Sequence, residues 1–240
     1  GVSNTDGSIT STVSANPTAG FSIVTYTGTG ANATVGHGLG VAPKMVIVKN
    51  RITSVAGAWP VYHQAIGATN YLFLELPDQQ SSVAAPFNDT APTSTVFSVD
   101  GSDRVNKSGD GIVAYCFAEV EGYSKIGKWQ NNNSTDGTFV YLGFRPRFIL
   151  LKNHDNAESW YIWDSVRQTY NVPPPSNNWL SPNLSNSEAA NSATTVAIDG
   201  LSNGFKIKTT NPATGEISFG TRNYIYMAFA ENPFKNSLAR

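Results

Sequence analysis

The chain repeats itself. Val41-Ala-Pro-Lys-Met-Val-Ile-Val-Lys-Asn matches Phe144-Arg-Pro-Arg-Phe-Ile-Leu-Leu-Lys-Asn position by position, pairing Pro43 with Pro146, Lys49 with Lys152 and Asn50 with Asn153. Trp59-Pro-Val-Tyr-His then follows in the first copy and Trp160-Tyr-Ile-Trp-Asp in the second. Ile112-Val-Ala-Tyr-Cys-Phe-Ala-Glu matches Tyr224-Ile-Tyr-Met-Ala-Phe-Ala-Glu, and the openings correspond as Gly20-Phe-Ser and Gly122-Tyr-Ser. Four anchors in one order define a module of about 100 residues written twice. The boundaries read as an N-terminal extension or linker over 1–19, a first repeat over 20–120 and a second over 121–240, with almost no linker around Val120-Glu-Gly. The start at Gly1, without a charged and apolar leader, reads as a cut from a longer polypeptide.

Whatever the module is, it is built of strands. Helical periodicity is almost absent, and short β-branched and aromatic runs alternate with turn clusters. The expected fold class is all-β: two tandem β-sandwich repeats of jelly-roll or lectin-like type with little helix. Phe21-Ser-Ile-Val-Thr-Tyr has strand composition and stops at Thr27-Gly-Thr-Gly. Met45-Val-Ile-Val and Phe148-Ile-Leu-Leu are unbroken apolar runs, as central strands covered on both faces require. Tyr71-Leu-Phe-Leu, Thr95-Val-Phe-Ser-Val and Gly204-Phe-Lys-Ile-Lys are further strands. Pro173-Pro-Pro-Ser-Asn-Asn reads as a loop, since proline cannot donate to a ladder. Asn186-Ser-Glu-Ala-Ala is expected to form one short helical turn.

The repeat anchors have structural readings. Pro43 and Pro146 mark strand starts, where a missing N–H costs least. Trp59 and Trp160 open the next strand, and each is expected as the large aromatic centre of its own sandwich, a ligand platform being the alternative. Period-two alternation puts Trp59, Val61 and His63 on one face, and separates Trp160, Ile162 and Asp164 from Tyr161 and Trp163.

Composition excludes several functions. A net charge of -1, from 16 basic and 17 acidic side chains, gives no electrostatic basis for nucleic-acid binding. No apolar run approaches the roughly 20 residues a membrane span needs. One cysteine allows neither an internal disulfide nor a thiolate metal cluster, and Cys116, inside an apolar run, reads as a small core residue. His37, His63 and His154 share no metal-ligand spacing. Val35-Gly-His-Gly-Leu-Gly is not a dinucleotide fingerprint, because its glycine spacing is wrong and no helix follows. Asp100-Gly-Ser-Asp103 with Asn106 and Asp110 lacks EF-hand spacing and reads as a solvated hairpin loop. His63 and Asp164 occupy equivalent positions and read as polar strand termini. No Gly-x-Ser-x-Gly elbow positions a nucleophile. The expectation is a non-enzyme with no metal and no cofactor.

Longer strings resemble a known family. Asn4-Thr-Asp-Gly-Ser-Ile-Thr-Ser-Thr-Val-Ser-Ala-Asn-Pro-Thr-Ala-Gly-Phe-Ser-Ile-Val-Thr-Tyr-Thr-Gly-Thr-Gly is similar to a recurrent segment of bacteriophage structural proteins, largely from phages of marine bacteria and cyanobacteria, described as tail-fibre-like or virion proteins. Val35-Gly-His-Gly-Leu-Gly-Val-Ala-Pro-Lys-Met-Val-Ile-Val-Lys, Ala114-Tyr-Cys-Phe-Ala-Glu-Val-Glu-Gly-Tyr-Ser-Lys and Asp136-Gly-Thr-Phe-Val-Tyr-Leu-Gly-Phe-Arg-Pro fit the same pattern. Tyr226-Met-Ala-Phe-Ala-Glu-Asn-Pro-Phe-Lys resembles the usual C-terminus of that family. The resemblance implies a virion component whose partners are other virion proteins and copies of itself; phage fibres are homo-oligomers, usually trimers.

The functional expectation is a tail-fibre or appendage module that contributes to recognising a host-surface glycan. Asn, Ser and Thr pair with sugar hydroxyls, and aromatic faces stack on sugar C–H faces. Trp129 and Asn131 in Lys128-Trp-Gln-Asn, and Asn178 and Trp179 in Ser176-Asn-Asn-Trp-Leu, are the candidate ligand residues, being set in polar loops. Two other readings stand beside it. One is a capsid decoration or fibre-shaft module with no ligand. The other is a polysaccharide depolymerase, for which Glu158 and Asp164 are the carboxylates nearest in sequence.

Overall fold

The computed structural model describes residues 1–52, 58–167, 171, 178–190, 196–211, 217 and 220–232. The chain divides into two compact units, one of Gly1–Glu75 with Gln80–Val120, the other of Leu76–Gln79 with Glu121–Arg240.

The first unit contains β1 (Val2–Asn4), β2 (Ser11–Asn16), β3 (Phe21–Thr27), β4 (Ala33–Gly36), β5 (Met45–Asn50), β6 (Pro60–His63), β7 (Leu72–Phe73), β8 (Val96–Val99) and β9 (Gly111–Phe117). Seven of these make one antiparallel sheet, in the order β1-β2-β3-β9-β5-β6-β7, and β4 pairs with β8 in a second. Alternation supplies the core. Val24 and Tyr26 from β3, Val46 and Val48 from β5, and Ile112, Ala114 and Cys116 from β9 pack with Val35, Phe97 and Val99 of the small sheet. This is a sandwich of unequal sheets.

Residues 1–19 are part of it rather than an extension. Alternating Ser11-Thr-Val-Ser-Ala pairs along β3 as β2, and Ile9 and Val13 enter the core. A one-residue slip would turn Val13 outward, so burial of that side chain holds the register.

The second unit contains β10 (Ser124–Gln130), β11 (Asp136–Tyr141), β12 (Pro146–Asn153), β13 (Trp160–Asp164), β14 (Asn178–Trp179), β15 (Ala189–Ala190), β16 (Val196–Leu201), β17 (Gly204–Thr209) and β18 (Asn223–Ala230). Its sheets run β10-β18-β12-β13, β11-β17-β16 and β14-β15, and an Ile162–Leu180 bridge continues the first of them. The order β3-β9-β5-β6 of the first unit recurs as β10-β18-β12-β13, and β4-β8 recurs as β11-β17. Register is kept as well: Met45 faces Phe117 as Phe148 faces Phe229, and Val35 faces Phe97 as Val140 faces Phe205. Trp129, Ile149, Leu151, Tyr161, Trp163, Phe205, Tyr224 and Tyr226 form the bulk of the second core.

The paired anchors explain themselves locally. Asn50 Oδ1 accepts the Ile52 N–H at 2.9 Å while its amide donates to Asp110 at 2.9 Å. Asn153 accepts the Asp155 N–H at 2.9 Å and donates to Glu158 at 3.1 Å. Each asparagine thus closes the turn after its strand and ties it to a carboxylate. His63 Nδ1 accepts the Ala65 N–H at 3.2 Å, and Asp164 Oδ1 those of Val166 and Arg167 at 3.0 and 2.9 Å. Imidazole and carboxylate do one job in the two copies. Pro43 lies two residues before β5, and Pro146 opens β12.

Several expectations change. Trp59 is half-buried, stacked on Tyr115 at 6.5 Å with the Lys49 ammonium 5.3 Å from its ring centroid. Trp160 is fully buried but lies on the face of β13 opposite Tyr161 and Trp163, the pair that enters the second core. The repeated tryptophans therefore lie on the face of each main sheet away from its core, and Tyr62 in the first unit and Tyr161 and Trp163 in the second fill the space between sheets. Asn186-Ser-Glu-Ala-Ala forms no helical turn; Ala189 and Ala190 pair as β15, while Gln64–Ile66 makes a 3-10 turn. The Pro173 loop lies outside the described residues up to Asn178, which opens β14.

Candidate functional site

Three of the expected ligand residues are core residues. Trp129 is at an inward position of β10, stacked on Tyr224 with ring centroids 4.8 Å apart and edge-on to Phe205 at 5.6 Å. Its Nε1–H donates to Asn131 Oδ1 at 2.9 Å, and the buried Asn131 amide donates to the Ile217 carbonyl at 3.0 Å. Trp179 is buried edge-on to Tyr161 at 5.2 Å. Asn178 pairs with Ala190 through the backbone, and its side chain lies outside the described residues. A polar sequence context concealed the core role. Lys128 and Gln130 are the outward neighbours of an inward indole, and Asn131 is the partner its N–H requires once buried.

The other chemical candidates resolve similarly. Glu158 is held by Arg222, by Asn153 at 3.1 Å and by the Tyr224 hydroxyl at 3.4 Å. Asp164 is held by Arg167 at 2.6 Å. Asp164 ends β13 and Glu158 lies two residues before it begins, each engaged by an arginine of its own, Arg167 and Arg222. Asn106 and Asp110 are buried rather than solvated, Asn106 accepting the Thr29 N–H at 2.8 Å to fasten the turn after β3. Burial pushes the Cys116 thiol up and the His37 and His154 imidazoles down, disfavouring the charged form in each case. Among the described residues no three His, Cys, Asp or Glu side chains gather as metal ligands.

A different surface stands out. On β11 the burial alternates, with Val140 in the core and its neighbours Phe139 and Tyr141 outside, 43% and 59% exposed. Residues two apart on a strand share a face at about 7 Å spacing, so the rings form one exposed aromatic platform. Gly204 on β17 makes room for it: a Cβ there would lie 3.1 Å from the Phe139 ring carbons and 2.1 Å from the Val140 oxygen. The Lys125 ammonium is 5.1 Å from the Tyr141 ring centroid, a cation–π distance. Lys206, facing Phe139 across the pair, bridges to Asp136 at 2.5 Å, and Lys208 bridges to Asp199 at 2.6 Å. The Lys206 contact holds the Asp136 carboxyl below its usual range, and the Asp199 contact holds Lys208 above its own.

The first unit does not repeat this platform. Register puts Thr34 and Gly36 of β4 where Phe139 and Tyr141 stand on β11. The N-terminal segment covers them: the Ser8 N–H donates to Thr34 Oγ1 at 2.9 Å, Ile9 bridges Val35, and Asn4 sits against Gly36 so closely that a Cβ would collide with it.

A family model described as a domain of unknown function, DUF7483, matches residues 1–233. The chain belongs to the DUF7483 family. No curated protein and no solved structure matches it. The DUF7483 match takes in both units and begins at the first residue, so β1 and β2 lie inside the family domain together with the platform strand β11. Sequence reading passed over Phe139 and Tyr141 although their string was in view. The string offered no signal of exposure, because Phe139-Val-Tyr-Leu is four apolar residues in a row and reads like a strand covered on both faces.

Proposed function

We propose that this DUF7483 chain is a virion appendage module, of tail-fibre type, whose second unit binds a host-surface glycan on the β11 face. The observation that carries the reading is the platform of Phe139 and Tyr141, exposed side by side on a rigid strand and ringed by Lys125, Lys206 and Asp136. Aromatic faces held on a sheet suit the C–H faces of a pyranose, and the polar rim suits its hydroxyls. The strings resembling phage structural proteins support the virion setting, with other virion proteins and copies of the chain as partners. A glycan array probed with the chain is expected to give binding that is lost in a Phe139→Ala/Tyr141→Ala variant whose melting temperature is unchanged. Binding that survives the double change would overturn the reading.

A second reading is a spacer without a ligand, a capsid decoration or fibre-shaft module. The burial of Trp129, Asn131 and Trp179 in packing roles favours it. An array without any hit would select it.

A further inference from the structure

We infer that the saccharide taken by the β11 face carries carboxylates. The inference rests on the glycan reading above and concerns its chemistry. Around the platform stand three lysines, Lys125, Lys206 and Lys208, and two aspartates, Asp136 and Asp199. The aspartates are engaged by Lys206 and Lys208, so each of those cations already has a carboxylate. Lys125 has none: among the described residues no carboxylate lies within ion-pair distance of its ammonium, which sits at the Tyr141 ring instead. An ammonium over the Tyr141 ring, with no carboxylate of the described residues in ion-pair distance, is complementary to a sugar that brings the carboxylate itself. The sugar ring would lie on Phe139 and Tyr141, and its acid group would accept from Lys125. Asp136 does not oppose this, because Lys206 balances its charge. A neutral sugar would gain the stacking and leave the cation without its partner.

The probes are polygalacturonate, alginate and polysialic acid, each beside its carboxyl-methylated ester, which keeps the ring and removes the charge. Binding to at least one acidic polymer is expected, weakened about tenfold by esterification, the size of one charge-assisted hydrogen bond. Lys125→Met is expected to lose about the same factor on the acid and to become indifferent to the ester, and Lys125→Arg to restore the preference. Added salt should weaken the acid but not the ester. Esters bound as tightly as acids, or wild-type behaviour of Lys125→Met, would overturn the acidic assignment and leave the glycan face standing. Binding that persists in the Phe139→Ala/Tyr141→Ala variant would instead overturn the face itself. Failure of all six polymers, with binding to neutral dextran or xyloglucan that depends on Phe139, would overturn the acidic assignment alone.

Discussion

Trp129 and Tyr224 stack almost in parallel, at 15° and 4.8 Å, across the β10–β18 pair, with the indole N–H satisfied by Asn131. The contact joins the edge strand of the larger sheet to its neighbour and closes the core over Phe205. Removing the indole would leave a cavity and strip Asn131 Oδ1 of its donor.

Trp129→Ala is therefore expected to cost about 3–5 kcal/mol, read as a lower denaturant midpoint. Trp129→Phe should cost less while also freeing Asn131 Oδ1. A Trp129→Ala chain of wild-type stability would place the indole outside the core.

Gly204→Ala tests the floor of the platform. The new Cβ would approach the Val140 carbonyl to 2.1 Å as well as the Phe139 ring to 3.1 Å. A backbone oxygen cannot swing aside as a ring can, so the strands must separate. A loss on the order of 1–3 kcal/mol is expected, and Phe139→Ala should not restore it. Rescue by Phe139→Ala would assign the strain to the ring alone.

Lys152 is a buried ammonium donating to the carbonyls of Pro77 at 2.9 Å and Glu158 at 2.6 Å. Burial pulls its pKa down to about 8, opposed by Asp78. In the unfolded chain the same amine titrates near ~10.4. As pH rises the folded form gives up its proton first, so between those values the unfolded state holds more protons and stability increases with pH. The penalty for burying the charge is felt in full below the folded value. Unfolding free energies of wild type relative to Lys152→Met should shift in favour of wild type from pH 8 to 10. A pH-independent difference would refute the depressed pKa.

Much of the fold was legible in the residues. The matched strings around Pro43 and Pro146 identified one module written twice, and unbroken runs such as Met45-Val-Ile-Val marked central strands, because burial on both faces removes the polar half of the alternation. The candidate site was not legible. Trp129 in a polar string looked exposed, but its direction depends on the register with β18. His63 and Asp164 were readable as strand termini because the copies could be compared, and the repeat served there as its own control.

Periodicity alone determined that Phe139 and Tyr141 share one side of a strand and Val140 the other. Which side met water was decided only when the sheets stacked, with Val140 drawn into the core against Phe205 and Ile207. Nor could alternation say why the equivalent side in the first unit is closed. That depends on residues 4–9, about 30 positions away in the chain, coming back to lie on Thr34 and Gly36. Local pattern sets the two faces of a strand because the backbone forces side chains to alternate. Exposure of either face is a property of whatever distant segment finds a lower free energy by covering it.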